Sequence, residues 1–250
     1  MDVPKPSGDD AANCSEVGNR CPPLLSVDLP SVSDITTRAK EPQLPVEIVL
    51  LTVEKYEFLA CYQQLKDPYR CWFDDLGYVY FEDVDENQED RVKVALLQCE
   101  RGSVGPGSAL ITAKNAVTVL KPKAIISVGI CSGLCSPEKT QLGDVVVSAK
   151  VATYASKVVT NNQEQSTGMR SYVSERFLNL IKNCADGWQA PLKNSEDHEV
   201  KVHCGEFLSG PELVIADWRR KELAELHPQA VALEMEGEGQ LLSSLCHFTF

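Results

Sequence analysis

Apolar residues first gather into a sustained pattern at position 46. Val46-Glu47-Ile48-Val49-Leu50-Leu51-Thr52 is an aliphatic run of the length expected for a buried parallel strand, and a helical stretch over 53–65 follows it directly. Tyr78-Val79-Tyr80-Phe81-Glu82-Asp83 and Val92-Lys93-Val94-Ala95-Leu96-Leu97-Gln98 flank the acidic turn 85–90, the pattern of two sequential antiparallel strands. A glycine-rich turn, Gly102-Ser103-Val104-Gly105-Pro106-Gly107, leads into a helix over 108–120 in which Leu110, Ala113, Val117 and Leu120 recur at helical spacing. A second parallel strand, Ala124-Ile125-Ile126-Ser127-Val128, runs into Gly129-Ile130-Cys131-Ser132-Gly133-Leu134. Gly143-Asp144-Val145-Val146-Val147-Ser148 opens a further strand, and 172–183 reads as a helix. Strands alternating with helices predict a largely parallel sheet covered by helices, in which ligands sit at the carboxyl ends of the strands. Ahead of position 46 there is no apolar period. Residues from Lys5-Pro6-Ser7-Gly8-Asp9-Asp10 to Lys40-Glu41-Pro42-Gln43-Leu44-Pro45 have the composition of a flexible segment, so 1–45 is expected to be a tail and 46–250 the domain.

Composition narrows the function classes. The chain has 250 residues, 43% of them hydrophobic, enough for one sizeable core. Its 36 acids against 24 bases give a net charge of −12, which opposes nucleic-acid binding because that affinity comes from Lys and Arg neutralising phosphates. No apolar run reaches the roughly 18 residues of a membrane span, and Met1-Asp2-Val3-Pro4-Lys5-Pro6 lacks the basic start and apolar core of a signal peptide. The expectation is a soluble, cytoplasmic protein. Ten cysteines, among them Cys61, Cys99, Cys131, Cys204 and Cys246, are scattered through apolar segments and read as mostly reduced, packed thiols. Cys131 and Cys135 have no companion pair at zinc-site spacing, and His198, His203, His227 and His247 form no motif, so no metal is expected. The 102–107 turn lacks the Lys-Ser/Thr ending of a P-loop, and no acid lies about 20 residues on as a dinucleotide fingerprint requires. No cofactor is expected, and the turn reads as a tight connection into a helix.

Candidate chemistry concentrates in Ala232-Leu233-Glu234-Met235-Glu236-Gly237-Glu238-Gly239, where the apolar run 230–233 gives way to a helical pattern. A buried carboxylate costs several kcal/mol unless paired or hydrogen-bonded, and the hydroxyls of a sugar would supply that pairing. A solvated helix start, where acids favour the positive end of the dipole, accounts for the same residues.

Taken in order, Ile125-Ile126-Ser127-Val128-Gly129-Ile130-Cys131-Ser132-Gly133-Leu134, Leu142-Gly143-Asp144-Val145-Val146-Val147-Ser148, Ser209-Gly210-Pro211-Glu212-Leu213-Val214-Ile215-Ala216-Asp217 and Val231-Ala232-Leu233-Glu234-Met235-Glu236-Gly237 resemble the purine nucleoside phosphorylase and uridine phosphorylase superfamily. Within it they are most similar to the methylthioadenosine/S-adenosylhomocysteine nucleosidases, over about 46–247. The resemblance implies a three-layer α/β/α sandwich with a mixed, partly barrel-like central sheet. It implies hydrolysis of the bond between adenine and ribose through a cationic sugar, with a small purine nucleoside as the partner and a homodimer as the assembly. Glu236 would accept the ribose hydroxyls, Met235 would line the sugar, and Glu234 would belong to the same binding cluster. Leu213 and Val214 would occupy the adenine slot, and Gly129, Ile130, Cys131 and Ser132 would form the rear wall. Phosphorylases of the group carry a Gly-Asp-Pro turn after the first strand, where this chain reads Leu51-Thr52-Val53-Glu54-Lys55-Tyr56-Glu57. Nucleosidases carry a glutamate there as general base. By register Glu57 matches it, with Glu54 the nearby competitor.

One departure stands against the matches. The family has a further strand and helix after its Glu-Met-Glu segment, with an aspartate that protonates the departing purine, whereas this chain reads Leu245-Cys246-His247-Phe248-Thr249-Phe250 and stops. The expectation is a fragment, a shortened form or a degenerate member, slow in hydrolysis and with an exposed sheet edge. A phosphate-dependent phosphorylase and a catalytically inactive purine sensor remain the alternatives.

Overall fold

In the computed structural model of the chain, residues 24–83, 92–102, 104–134, 140–160, 164–173, 175–193 and 199–239 are described. Strand β1 (Ile48–Thr52) leads to helix α1 (Lys55–Tyr62), the hairpin β2 (Tyr69–Phe73) and β3 (Gly77–Phe81), then β4 (Val94–Gln98), helix α2 (Ala109–Leu120) and β5 (Ala124–Ser127). These strands form one sheet in the order β2-β3-β4-β1-β5, with β1 parallel to both β4 and β5 and the β2–β3 hairpin antiparallel at its edge. The central position of β1 explains its unbroken aliphatic run, since both faces are covered. Val49, Leu51, Ala95 and Leu97 pack with Ala109, Ala113, Ala116 and Leu120 of α2, while Leu50, Val94 and Leu96 pack with Phe58, Leu59, Cys61 and Tyr62 of α1. Alternate residues of each strand thus face opposite helices, which makes the three layers. The buried face of α2 is Ala109, Thr112, Ala113, Ala116 and Leu120, rotated from the expected one because small alanines let the helix axis approach the sheet. The helix stops at Lys121, in the left-handed conformation at φ 49°, immediately before Pro122.

The second half begins with the short β6 (Ser132–Gly133) and continues through β7 (Val145–Thr153), β8 (Lys157–Val159), β9 (Glu164–Ser166), β10 (Arg170–Tyr172), helix α3 (Glu175–Lys182), β11 (Val202–Ser209), helix α4 (Asp217–Leu226) and β12 (Ala230–Glu234). Its main sheet has the order β10-β7-β11-β12-β6, with β7, β11 and β12 parallel and the edges β10 and β6 antiparallel. Leu134, Ala152, Tyr154, Leu208, Ala230 and Leu233 form its core with Leu223 of α4. The architecture is α/β with mixed sheets, as expected. The chain leaves one sheet at Ser127 and joins the other at Ser132, so the turn 128–131 lies between the two.

One strand was not anticipated, some readings fall on residues that are not described, and the expected tail takes a different form. The strand β2 escaped the pattern because Tyr-Arg-Cys-Trp-Phe has no aliphatic residue and no regular alternation, although Gly77 at φ +71° marks its turn. The acidic turn 85–90, Cys135, His198, Cys246, His247 and residues 1–23 lie outside the described residues. The part of the expected tail that is described, 24–45, is laid along the domain by polar contacts. Thr36 N–H donates to the Tyr62 hydroxyl at 2.7 Å, Arg38 pairs with Asp83 at 2.9 Å, and Ser26 N–H donates to Pro191 O at 2.8 Å. Leu24 and Leu25 themselves stay exposed, which is why a reading of hydrophobic periodicity found nothing to order this stretch.

Candidate functional site

The carboxyl ends of β1, β4, β5, β11 and β12 bring five connecting segments to one edge. Glu57 arrives first. Beyond Thr52 the chain turns into α1, and the N–H groups that open a helix have no partner within it. Glu57, in the first helical turn, accepts from Val53 N–H at 3.0 Å and Glu54 N–H at 2.8 Å through Oε2. Its Oε1 accepts from Ile130 N–H, in the turn after β5, at 2.9 Å. A carboxylate has roughly four lone-pair sites, so these donors leave one on Oε1. Gly129 lies against the same oxygen, where a Cβ would stand 3.3 Å from Oε1.

The second carboxylate comes from β12. Glu234 ends the strand and turns back under its own chain, accepting from the N–H groups of Glu236 and Gly237 through Oε2, both at 2.7 Å. The Ser209 hydroxyl also hydrogen-bonds this carboxyl, whose Oε1 is buried, and a Cβ on Gly237 would come within 2.5 Å of Oε1. Burial pushes the Glu234 carboxyl above the usual carboxylate range, and the charge of Glu236 adds to this. Glu234 Oε2 is thus turned onto the backbone of the turn that carries Glu236. Glu236 is half-buried and accepts from Gly102 N–H, in the turn after β4, at 3.3 Å through Oε1. Its carboxyl is raised by burial first and then by the negative charges of Glu57 and Glu54. Two carboxylates from two different sheets thus share one edge, each fixed by a backbone N–H of a glycine-bearing turn.

Cysteines near this edge have thiols that burial raises. Burial pushes the Cys99 thiol up to about 12, with the charges of Glu236 and Glu57 acting in the same direction. Burial followed by Glu234 raises Cys131. Cys61 and Cys99 are buried thiols, Cys71 and Cys131 half-buried, and Cys184 and Cys204 exposed, so Cys204 departs from the packed position expected of it. Among the described residues no group of three or more His, Cys, Asp or Glu side chains is assembled to hold a metal ion.

The remaining expected site residues fall on the same edge. Ile130 is 70% exposed and Ser132 pairs with Leu233 in the sheet. After β11, Gly210 N–H donates to Glu234 O at 3.2 Å, and a Cβ at Gly210 would strike the Tyr154 ring at 2.4 Å. Leu213 is exposed and Val214 packs on the second core. Arg219 of α4 holds this loop by a two-pronged ion pair, both contacts 2.8 Å, with Glu212. Sequence reasoning took 102–107 only as a tight turn into a helix and did not bring the 99–102 segment to the site. The signal was present, since Gly102 follows a parallel strand end. Arg101 there forms an exposed ion pair with Glu54.

Over residues 83–241, more than half of its length, the chain matches the Phosphorylase superfamily, and it belongs to that superfamily. It is 30% identical over 161 residues to a death domain-containing ATP nucleosidase of Amphimedon queenslandica, a match covering 59% of this chain and 30% of the relative. It is 25% identical over 147 residues to a 5'-methylthioadenosine/S-adenosylhomocysteine nucleosidase of Maridesulfovibrio salexigens, covering 58% of this chain and 59% of the relative. The chain thus spans less than two thirds of either relative. Among solved structures, the 5'-methylthioadenosine/S-adenosylhomocysteine nucleosidase of Neisseria meningitidis in complex with methylthio-immucillin-A superposes with a TM-score of 0.61 at 15% identity, covering 80% of each chain. The futalosine hydrolase of Helicobacter pylori gives 0.60 at 15% identity, covering 81% of this chain and 79% of its own. The fold is the one these nucleosidases share. Among the described residues, no helix is long and apolar enough to cross a membrane.

Proposed function

We propose that the chain is an N-ribosyl hydrolase that releases adenine from an adenine nucleoside or a derivative of one. The observation that carries this reading is the meeting of Glu57 and Glu236, brought from separate sheets to one strand-end edge with glycine backbone against each. Glu236 would accept hydrogen bonds from the ribose hydroxyls, and its charge would favour the positive charge that grows on the sugar as the bond to adenine breaks. The lone pair left on Glu57 Oε1 would take the proton of the attacking water, and the departing adenine would take up a proton from solvent. Met235 would line the sugar, Gly129 to Ser132 the rear of the pocket, and Leu213 with Val214 the adenine slot, steadied by the Arg219–Glu212 pair. The relatives named for nucleosidase activity support this assignment. The same reading puts the protein in the cytoplasm, which its free thiols suit, as a homodimer whose size in solution is directly measurable.

Release of free adenine from adenosine, methylthioadenosine and adenine nucleotides, with and without phosphate, tests the proposal. Turnover without phosphate is expected, and Glu57→Gln should reduce it by about 10²- to 10⁴-fold, the usual range for general-base help. No adenine from any of these substrates, or full turnover in the variant, would remove the reaction or the base respectively.

A further inference from the structure

The turn that presents Glu236 opens into helix at Gly237, and the N–H groups that open a helix have no partner within it. Here two side chains take three of them in succession. Glu236 N–H and Gly237 N–H donate to Glu234 Oε2, both at 2.7 Å, and Glu238 N–H donates to the Ser209 hydroxyl, also at 2.7 Å. Ser209 and Glu234 end β11 and β12 and are partners in the sheet register. The Ser209 hydroxyl is in turn bonded to the Glu234 carboxyl. A hydroxyl has one proton to give and two lone pairs to receive, so Ser209 donates to the carboxyl and accepts from Glu238 at once. The ends of two strands are thereby fastened to each other and to the backbone on both sides of Glu236.

Resting on the nucleosidase reading, we propose that Ser209 is a positioning residue for sugar recognition, fixing through Glu234 and Glu238 N–H the direction in which the Glu236 carboxylate meets the ribose hydroxyls. Ser209 is fully buried and its proton is committed to Glu234, so it does not reach a ligand itself. Its effect passes through Glu236. The contact of Glu236 with the first sheet, from Gly102 N–H at 3.3 Å, is long, so the backbone that Glu236 leaves from carries much of its aim. That aim matters, because a misplacement of about 1 Å can cost roughly 10²-fold.

The test is calorimetric titration of the full chain with a C-nucleoside analogue of adenosine, whose carbon link to the sugar cannot be hydrolysed, and with its 2',3'-dideoxy counterpart. The analogue with hydroxyls is expected to bind at least about 10-fold tighter, the difference being what those hydroxyls gain from Glu236. S209A should cut that advantage by at least about 3-fold while the dideoxy ligand binds as before. S209T keeps the hydroxyl and should restore the advantage. S148A, which removes a hydroxyl from the middle of β7 in the same sheet, should leave it intact. If S209A does not fold, S209C carries the same expectation, because a thiol fills the space but is a weak donor. Equal losses for both ligands, an unchanged advantage in S209A, or the same reduction in S148A would overturn this inference alone. If the unsubstituted chain binds both ligands alike, the role of Glu236 falls with it, and if it binds neither, so does the nucleosidase reading.

Discussion

Glu206 and Glu234 lie on neighbouring strands, β11 and β12, and both are withdrawn from water, yet the molecule satisfies them differently. Glu206 sits mid-strand, directly across from Lys150 of β7 in the sheet register, and the two form a buried ion pair with side chains 3% and 18% exposed. The Lys150 ammonium also stands over the Tyr172 ring at 5.4 Å. Glu234 and its neighbour Glu236, at the strand end, meet backbone N–H groups, the Ser209 hydroxyl and other acids, and among the described residues neither is ion-paired. A carboxylate inside the sheet is closed off by its cation. At the edge, acids left without a cation are the ones a ligand's hydroxyls or a developing positive charge can complete.

Three changes sharpen that contrast. The largest effect is expected at the closed pair. Lys150→Met leaves Glu206 buried and alone, which should cost about 3–5 kcal/mol in urea unfolding, whereas Lys150→Met with Glu206→Leu should recover most of it. A single-variant loss below about 1 kcal/mol would show that water or another group already serves Glu206. A smaller effect is expected at Glu234. Removing the acceptor of two N–H groups by Glu234→Ala should cost about 1–3 kcal/mol and lower adenine release as well, because Glu236 loses its fixed direction, while Glu234→Gln keeps an acceptor and should restore both. Restored stability without restored release would instead place Glu234 on the substrate.

The smallest effect is a pH slope. Burial raises the folded carboxyls of Glu234 and Glu236 above their ordinary value of 4.5, so the folded chain binds these protons more tightly than the unfolded one. Their contribution to stability is full below about 4.5 and is lost as pH rises through the folded values. Unfolding midpoints measured upward from pH 4.5 should therefore show a falling component that flattens in Glu234→Gln. A component that rises with pH and disappears in that variant would mean the carboxyl is held as a stabilised anion.

Much of the first sheet was legible because burial on both faces of β1 and β4 writes itself as unbroken aliphatic runs. The second sheet was less so. Its strands β7 and β11 mix Lys150, Glu206, His203 and Ser148 with aliphatics, and a buried ion pair across two strands leaves no periodic trace in either. At the site, the Glu234-Met235-Glu236 cluster was visible as acids abutting an apolar strand, and Glu57 only through the family resemblance, by its register after β1 with Glu54 as its competitor. What the sequence concealed was the different surroundings of Glu234 and Glu236, since both read as acids beside a sugar. Only the folding of Glu234 onto the N–H groups of Glu236 and Gly237 separates them. The Arg101–Glu54 pair was hidden for a different reason. Its members are 47 residues apart along the chain and beside each other in space.

The central claim is that Glu236 holds the sugar. Calorimetric titration of Glu236→Gln with the C-nucleoside analogue of adenosine tests it most directly, because the amide is nearly the same size but offers the hydroxyls a weaker acceptor and a competing donor. Affinity should fall by about 10- to 10²-fold, as expected for losing hydrogen bonds to a charged group, with the unfolding midpoint retained or raised. A folded variant that binds the analogue as tightly as the unsubstituted protein would contradict the account.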